Sequence, residues 1–150
     1  KKILFIVGGI SIDRVYRTYV KDYLKEELIT YSPDKIKNIL ENNSSIDILV
    51  THSAPMWCIP QGIDAPIVKN YISLDKGDLK TDLEDERDIL GKYFDELNDK
   101  FKFKYHFYGH FHRNSRQKIG DCDHILIGIG DFIDLDKLEK LKQEEPDKFS

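Results

Sequence analysis

Residues 101–112, FKFKYHFYGHFH, alternate aromatic and polar side chains as far as Tyr108 and then reach a glycine. An alternation with a period of two is typical of a β-strand, so a strand is predicted to end at Tyr108. Gly109 then gives the backbone room for a sharp turn, and His110 and His112 follow in the same loop. The stretch therefore predicts a strand of a central sheet with a pair of histidines at its end.

Two apolar runs earlier in the chain predict further strands of the same sheet. The run from Lys2 to Val7 is apolar after its first residue and stops at Gly8-Gly9, the pattern of a central strand buried on both faces. Residues 46–51 predict a second buried strand, which delivers His52 to a long loop. Open α/β sheets place their chemistry at such strand ends. The predicted fold class is therefore α/β.

Four helices and a closing hairpin complete the predicted order of elements. Ser32 followed by Pro33 is a start signal for a short helix, and Thr81 with Glu84 forms a capping box that predicts a helix starting just after Thr81. For the first predicted helix, residues 15–28, an irregular loop with one helical turn is the alternative. The predicted helices cover residues 15–28, 33–42, 82–98 and 135–148, and the hairpin pairs strands 115–119 and 124–129 through a turn at 120–123.

Length and composition indicate one domain of a cytoplasmic protein. The chain has 150 residues, and no repeat, low-complexity tract or linker divides it. Charged residues make up 33% and the net charge is −4, without the clusters of Lys and Arg that nucleic-acid grooves and membrane surfaces need. No apolar run approaches the roughly 20 residues of a membrane span. Cys58 and Cys122 lack CxxC spacing and indicate reduced core residues, with a single disulfide as the alternative.

The histidines at two strand ends are the residues most suited to chemistry. His52 ends one predicted strand, and His110 and His112 follow another, so converging imidazoles predict a metal site. In a turn, two histidines that are two residues apart can point at different ions. The alternative is that all three are surface or core histidines at strand ends. His106 and His124 lie inside strand patterns and are interpreted as structural, and neither cysteine has the neighbouring base that marks a nucleophile.

The two histidine loops are similar to the last two metal motifs of the calcineurin-like metallophosphoesterases. In that family a histidine ends a strand, often before small residues and a proline, and a Gly-His-x-His follows further on. Here residues 51–55, THSAP, and 108–112, YGHFH, match in order and separation. Residues 8–14, GGISIDR, resemble a Gly-Gly-Ala-x-Ser-x-Asp segment that follows a central strand in a bacterial and phage branch of the family. The resemblance covers residues 1 to about 131.

The resemblance implies a fold, a cofactor and a reaction. The fold would be a two-sheet α/β/β/α sandwich with helices outside, of which this chain supplies the C-terminal half. His52 and His110 would bind one metal ion and His112 the other, the two divalent ions being Mn, Fe or Zn. Such a binuclear centre hydrolyses phosphate mono- or diesters. A phosphorylated substrate is therefore expected, with phosphoprotein, nucleotide and nucleic-acid end all open.

Residues beside these loops are candidates for supporting roles. Arg14 lies at a predicted strand-to-helix turn, where its guanidinium could hold a substrate phosphate by a bidentate contact. A salt bridge to Asp13 or to another nearby acid is the alternative. Ser53, Asp64 and the backbone around Gly109 are candidates to orient the imidazoles.

Three earlier motifs of the family are missing from the chain: an Asp-x-His, a Gly-Asp-x-x-Asp and a Gly-Asn-His. The resemblance therefore implies neither a bridging carboxylate nor any catalytic residue here, and the chain alone is expected to be inactive. Because Met56 is the only methionine and a strand begins within two residues of Lys1, we expect the native chain to begin upstream. The missing N-terminal half then belongs to the same chain or to another one. A non-catalytic binding module that keeps a partial metal site is the alternative.

Overall fold

The computed structural model describes residues 1–19, 28–75 and 77–145, with the side chains of 18 and 19 left aside. Over these residues the chain is a mixed α/β protein with one five-stranded, mostly parallel sheet. The strands are β1 (Ile3–Ile6), β2 (Ile48–Thr51), β3 (Tyr105–Tyr108), β4 (Ser115–Ile119) and β5 (Cys122–Leu126). The helices are α1 (Arg14–Tyr19), α2 (Pro33–Asn42), α3 (Pro66–Leu74), α4 (Leu79–Phe101) and α5 (Leu135–Glu144).

The order of the strands brings the two histidine loops to one edge of the sheet. The strands lie in the order β1-β2-β3-β5-β4, with β4 antiparallel to β5 and the other neighbours parallel. Thr51 at the end of β2 is paired with Tyr108 at the end of β3. His52 and Gly109 therefore leave the sheet side by side, as the strand pattern predicted.

Helices cover the two faces of the sheet unequally. On one face, Leu49 packs with Ile36 of α2 and with Phe94 and Leu97 of α4 in the largest apolar cluster. On the other face, Ile48, Tyr105 and Ile125 form a smaller cluster against Leu135 and Leu138 of α5. The long helix α4 therefore dominates the core.

The prediction that the first strand is central is wrong. Strand β1 lies at the edge of the sheet and is paired only with β2 among the described strands. Its side chains Ile3 and Phe5 are 47% and 63% exposed, and Val7 just after the strand is 83% exposed. A continuous apolar run shows that both faces of a strand are apolar, but it does not show whether anything covers them.

The predicted helices are present with shifted ends. Ser32 caps α2, since its hydroxyl accepts a hydrogen bond from the backbone N–H of Lys35 at 3.4 Å, and this start is confirmed. The capping box at Thr81 is wrong, because α4 already begins at Leu79, whose side chain is 1% exposed in the core. Helix α1 is confirmed only as Arg14–Tyr19, and residues 20–27 of the predicted helix lie outside the described residues. Residues 146–148 of the last helix also lie outside them.

Tertiary contacts explain the remaining differences. Helix α3 has no counterpart among the predicted elements, and its Val68 and Tyr71 pack against Leu79. Strand β3 is shorter than the aromatic alternation suggested, because Phe101 is the last residue of α4 and the chain turns at Lys102, with a φ of 52°. The hairpin is confirmed, with β4 as predicted and β5 beginning at Cys122. Among the described helices, none combines the length and apolarity that crossing a membrane requires.

Four side chains, those of His106, His110, His124 and Glu86, have pKa values displaced in a way that affects stability between pH 5 and 6. Burial, together with the charge of His124, lowers the pKa of His106 from 6.5 to about 3, and burial lowers the pKa values of His110 and His124 to about 4. Burial also raises the pKa of Glu86 from 4.5 to about 7, against the opposing effects of the Ile10 N–H and of Arg87. Between pH 5 and 6 the histidines therefore take up protons only on unfolding, whereas Glu86 takes one up only in the folded state.

This balance predicts how stability changes with pH. Three protons bound on unfolding minus one bound on folding leave about two, so the free energy of unfolding falls by about 2.7 kcal/mol per unit as pH decreases from 6 to 5. Glu86→Gln keeps an acceptor for the Ile10 N–H and removes the opposing proton, so the fall steepens to about 4.1 kcal/mol per unit. Urea unfolding of both proteins in EDTA-containing buffers at pH 5, 5.5 and 6 measures the two slopes. Equal slopes would contradict the assignment of a neutral, buried Glu86.

Candidate metal site at the carboxyl ends of β2 and β3

His52 and His110 meet directly above the ends of their strands. The Nε2 atom of His52 lies 2.9 Å from the Nδ1 atom of His110, and the ring centroids are 4.7 Å apart. The backbone N–H of Gly109 donates to the carbonyl of His52 at 3.1 Å, which extends the pairing of β2 and β3 by one residue. The pairing of β2 with β3 therefore holds two residues that are 58 positions apart in the chain close enough for both to bind one metal ion.

The loop after β3 turns through an unusual backbone. His110 and His112 have φ angles of 73° and 54°, in the left-handed region that non-glycine residues rarely occupy. The N–H of Phe111 donates to the carbonyl of Gly109 at 2.9 Å, which closes a tight turn. Such strained residues persist where the surrounding structure requires them, often at functional sites.

Gly9, in the loop after β1, packs against the imidazole of His52. A Cβ atom built on Gly9 would lie 2.1 Å from the Cδ2 atom of His52, far inside van der Waals contact. Any side chain at position 9 would therefore push the ring of His52 away from its place beside His110.

The electrostatics favour a neutral His110. Burial lowers its pKa to about 4, and the positive charges of His52, His112 and Arg87 add to the effect. At neutral pH the imidazole therefore carries no charge and keeps a lone pair on one ring nitrogen. A neutral imidazole with a free lone pair is the form that binds metal ions.

Glu86 and Arg87, adjacent on α4 and each 2% exposed, hold the loops that form this site. The Glu86 carboxylate accepts a hydrogen bond at 3.0 Å from the N–H of Ile10, in the loop after β1. The guanidinium of Arg87 lies 5.0 Å from the ring centroid of Phe111, the residue between His110 and His112 in the loop after β3. Arg87 also donates five hydrogen bonds, of 2.6 to 3.0 Å, to backbone carbonyls of the loop after β2, at Ala54, Pro55, Cys58, Pro60 and Gly62.

The other predicted site residues are placed as follows. His112 is exposed. It does not form a cluster of three metal-capable side chains with His52 and His110. Among residues 1–19, 28–75 and 77–145, the three such side chains whose ligand atoms lie within 4.8 Å of one another are Cys58, His106 and His124. That His112 serves a second ion stays a prediction. The hydroxyl of Ser53 is buried without a hydrogen-bond partner in the described part of the chain, so a role in orienting His52 also stays a prediction.

Arg14 is engaged by two carboxylates, neither of which is Asp13. Its guanidinium forms a two-point contact with Asp75, at 3.0 and 3.1 Å, and a further contact with Asp82 at 2.6 Å. Hydrogen bonding to both acids raises the pKa of the guanidinium, against the effect of burial, and the residue is 8% exposed. The structure therefore favours the salt bridge over the predicted phosphate contact, which would have to displace these partners.

Two residues near the site carry no signal in the sequence. Asn114, two positions after His112, accepts a hydrogen bond from the N–H of Gly128 at 2.8 Å and donates one to the carboxylate of Asp131 at 2.7 Å. An exposed carboxylate is thereby held against the loop that follows β3. Only the return of the chain after β5 places Asp131 there.

Comparison of the chain with models of known protein families and with curated protein sequences found no match.

The Arg87 contacts predict a large effect of a conservative change. Arg87→Lys leaves an ammonium with three donors for the five carbonyls, so the free energy of unfolding should fall by about 2–4 kcal/mol. Lys80→Ala on the same helix removes only an exposed pair with Glu84 and should cost less than about 0.5 kcal/mol. Urea unfolding measures both, and a loss for Arg87→Lys no larger than that for Lys80→Ala would contradict the anchoring role.

The packing of Gly9 predicts a local effect on the histidine pair. Gly9→Ala should move His52 away from His110 and cost at most about 1–3 kcal/mol of stability. The pKa of His110 should rise toward its ordinary value, because the ring becomes less buried and the charge of His52 more distant. Gly109→Ala is the matched control, since its Cβ would lie at an ordinary 3.7 Å from the carbonyl of Ile127. An NMR titration of the histidines that found the same His110 pKa in both variants would reject this packing.

Proposed function

We propose that the chain supplies the histidine side of a binuclear metallophosphoesterase centre, which hydrolyses phosphate mono- or diesters in an α/β/β/α sandwich. The observation that carries the proposal is the contact of His52 Nε2 with His110 Nδ1 at 2.9 Å. Residues from two separate, parallel strands meet there at the edge of the sheet where α/β proteins bind ligands. Both residues belong to the motifs that resemble the metallophosphoesterase family.

The side chains fit a metal ion of the proposed kind. Two ring nitrogens on one tetrahedral ion lie about 3.3 Å apart, given Zn–N bonds of about 2.0–2.1 Å, and the observed 2.9 Å is within a few tenths of an ångström of this value. The depressed pKa of His110, about 4, keeps its imidazole neutral at physiological pH. Mn, Fe and Zn all accept imidazole ligands, so the ion at His52 and His110 would be one of these.

In this proposal His52 and His110 hold one ion and His112 holds the other. Bound divalent ions at such a centre polarise a phosphate ester and supply a nucleophilic water at neutral pH. The chain's own contribution is positional: the β2–β3 register fixes His52 and His110, and the left-handed turn separates His110 from His112. None of the three histidines is assigned a proton-transfer role.

The carboxylates that complete the centre would come from a further polypeptide segment, in the same chain or in a partner. The exposed face of the sheet supports this part of the proposal. Ile3 and Phe5 present apolar side chains at the open edge of the sheet, and Val7 lies just beyond them toward the site. A second sheet that packs on this face would bury them and would bring its own loops to the same edge.

Metal binding tests the assignment of ligands. His52→Asn and His110→Asn should each lower the affinity for Mn²⁺ on the order of 100-fold, and the double variant should lose little more, because both residues serve one ion. His112→Asn should leave that ion bound. Lys118→Gln, at an exposed position of β4, is the control and should change nothing. Isothermal titration calorimetry in the presence of a thiol reductant measures the five variants and the unchanged chain.

Activity decides between an enzyme and a binding module. The chain alone should not hydrolyse p-nitrophenyl phosphate or bis-p-nitrophenyl phosphate. The same chain extended by its upstream coding sequence should bind a second ion and hydrolyse one of the two substrates, and His112→Asn should abolish this activity. An extended protein that binds no second ion and hydrolyses neither substrate would exclude the enzyme and leave the non-catalytic alternative.

A further inference from the structure

A second group of metal-capable side chains lies inside the core, under α4. The Sγ atom of Cys58 and a ring nitrogen from each of His106 and His124 lie within 4.8 Å of one another. The three residues are 0%, 0% and 1% exposed. Polar groups buried this deeply need partners, because leaving one unsatisfied costs roughly 1–3 kcal/mol.

Strand register and the Arg87 anchor bring the three residues together. His106 of β3 and His124 of β5 are directly paired in the sheet, and their Nδ1 atoms are 2.9 Å apart. Cys58 lies in the loop after β2, where Arg87 donates to its carbonyl at 3.0 Å. Its sulfur lies 3.7 Å from the Nδ1 atom of His124. Two neighbouring strands and a rigid loop therefore preorganise the group.

A hydrogen-bond chain determines which nitrogen of His106 is free. The hydroxyl of Thr51 donates its one proton to the carbonyl of Ser53. Thr51 Oγ1 can then only accept from the Nε2 atom of His106, which lies 2.8 Å away and must carry the ring proton. The Nδ1 atom of a neutral His106 is therefore a bare lone pair that faces the group. Metal-binding histidines are commonly oriented by such a contact on the opposite nitrogen.

Without an ion, the three polar groups do not satisfy one another. The Nδ1 atom of His124 must carry a proton to face the lone pair of His106, which leaves its Nε2 atom as a buried acceptor. That Nε2 atom has no hydrogen-bond partner among the described residues. The thiol of Cys58 cannot donate to a protonated Nδ1 and is surrounded by apolar contacts. An ion between the three atoms would use the His106 lone pair, the thiolate and the His124 Nδ1 atom after its proton moves to Nε2, which has no partner among the described residues in either state.

We propose that Cys58, His106 and His124 form a buried three-ligand site for a thiophilic d¹⁰ ion, Zn²⁺ or Cu⁺. Bonds of about 2.0–2.1 Å to nitrogen and 2.3 Å to sulfur place the ligand atoms roughly 3.3 Å (N to N) and 3.6 Å (N to S) apart. The observed 2.9 Å between the two histidines and 3.7 Å between Cys58 and His124 are each within a few tenths of an ångström of these values, and the third pair of ligand atoms lies within 4.8 Å. A ligand set of one thiolate and two imidazoles suits soft ions, and Cu⁺ would leave the site without net charge.

Trp57 lies between the buried group and a surface cleft. Trp57 packs edge-on against His124, with ring centroids 4.9 Å apart. The same Trp57 lines a surface cleft of about 320 Å³, together with Met56, Arg87, Asp88, Gly91, Lys92 and Asp95. In this proposal an ion would reach the ligands from this cleft, past Trp57. The carboxylates of Asp88 and Asp95 at this cleft would attract a cation.

Binding at this site has a balanced proton count. Burial raises the pKa of the Cys58 thiol to about 12, so the group is protonated before an ion arrives. Formation of the metal–sulfur bond breaks the S–H bond and releases one proton to solvent, while the His124 proton only moves between ring nitrogens. One proton per bound ion is expected at pH 7.

The test uses the chain with His52→Asn, His110→Asn and His112→Asn combined, so that it does not depend on the proposed phosphoesterase centre. Under anaerobic, reducing conditions it is titrated with Zn²⁺ and Cu⁺, and with Co²⁺ as a spectroscopic substitute for Zn²⁺. Expected results are one ion per chain, one proton released, a raised melting temperature and, for Co²⁺, a thiolate charge-transfer band.

Cysteine variants then distinguish this site from adventitious binding. Cys58→Ser should lose the Co²⁺ band and the proton release and weaken binding on the order of 100-fold or more. Cys122→Ser, at the other buried cysteine, should keep all three signals. Tight binding of either Zn²⁺ or Cu⁺ with this pattern supports the site. Retention of the signals in Cys58→Ser, their loss in Cys122→Ser when it is folded by circular dichroism, or failure of the triple variant to bind either ion while folded would overturn it.

Discussion

The buried pair of neighbours on α4, Glu86 and Arg87, is the constraint on which the rest of the structure depends. A guanidinium taken out of water must find acceptors, and Arg87 finds them in the backbone of one loop. The side chain of Glu86 instead accepts a hydrogen bond from the backbone N–H of Ile10. Two consecutive residues of one helix thereby order the loops after β1 and β2, and Arg87 also packs on Phe111 after β3.

Both groups of metal-capable side chains rest on this arrangement. The outer pair, His52 and His110, follows from the register of two strands, while Gly9 leaves room for the ring of His52. The inner group is also positioned by strand register, because the sheet places His106 beside His124. The loop anchored by Arg87 adds Cys58 to it. The outer pair is open to ligands from a further segment, whereas the inner group is closed by α4 and Trp57.

Among the described residues, only one face of the sheet is fully covered by helices. The face under α2 and α4 has a continuous apolar core, but the face under α5 leaves Ile3 and Phe5 of the edge strand in solvent. Large apolar side chains beside an unpaired strand edge are typical of surfaces that pack against another element. In the proposed function, a further segment would cover these side chains and would also supply ligands at the carboxyl ends of β2 and β3.

Local patterns in the sequence determined the strands around residues 46–51 and 105–108, the Ser32 cap and the two histidine loops, because alternation, capping and glycine turns act between near neighbours. They could not place β1 at the edge, start α4 at Leu79 or reveal α3, since burial by distant residues decides those features. The partners of Arg14 were likewise decided only by the tertiary structure. The tertiary structure also decided that Cys58, His106 and His124 lie together. These residues are far apart in the sequence, and they are brought together by the pairing of β3 with β5 and by the contacts of the buried Arg87 guanidinium.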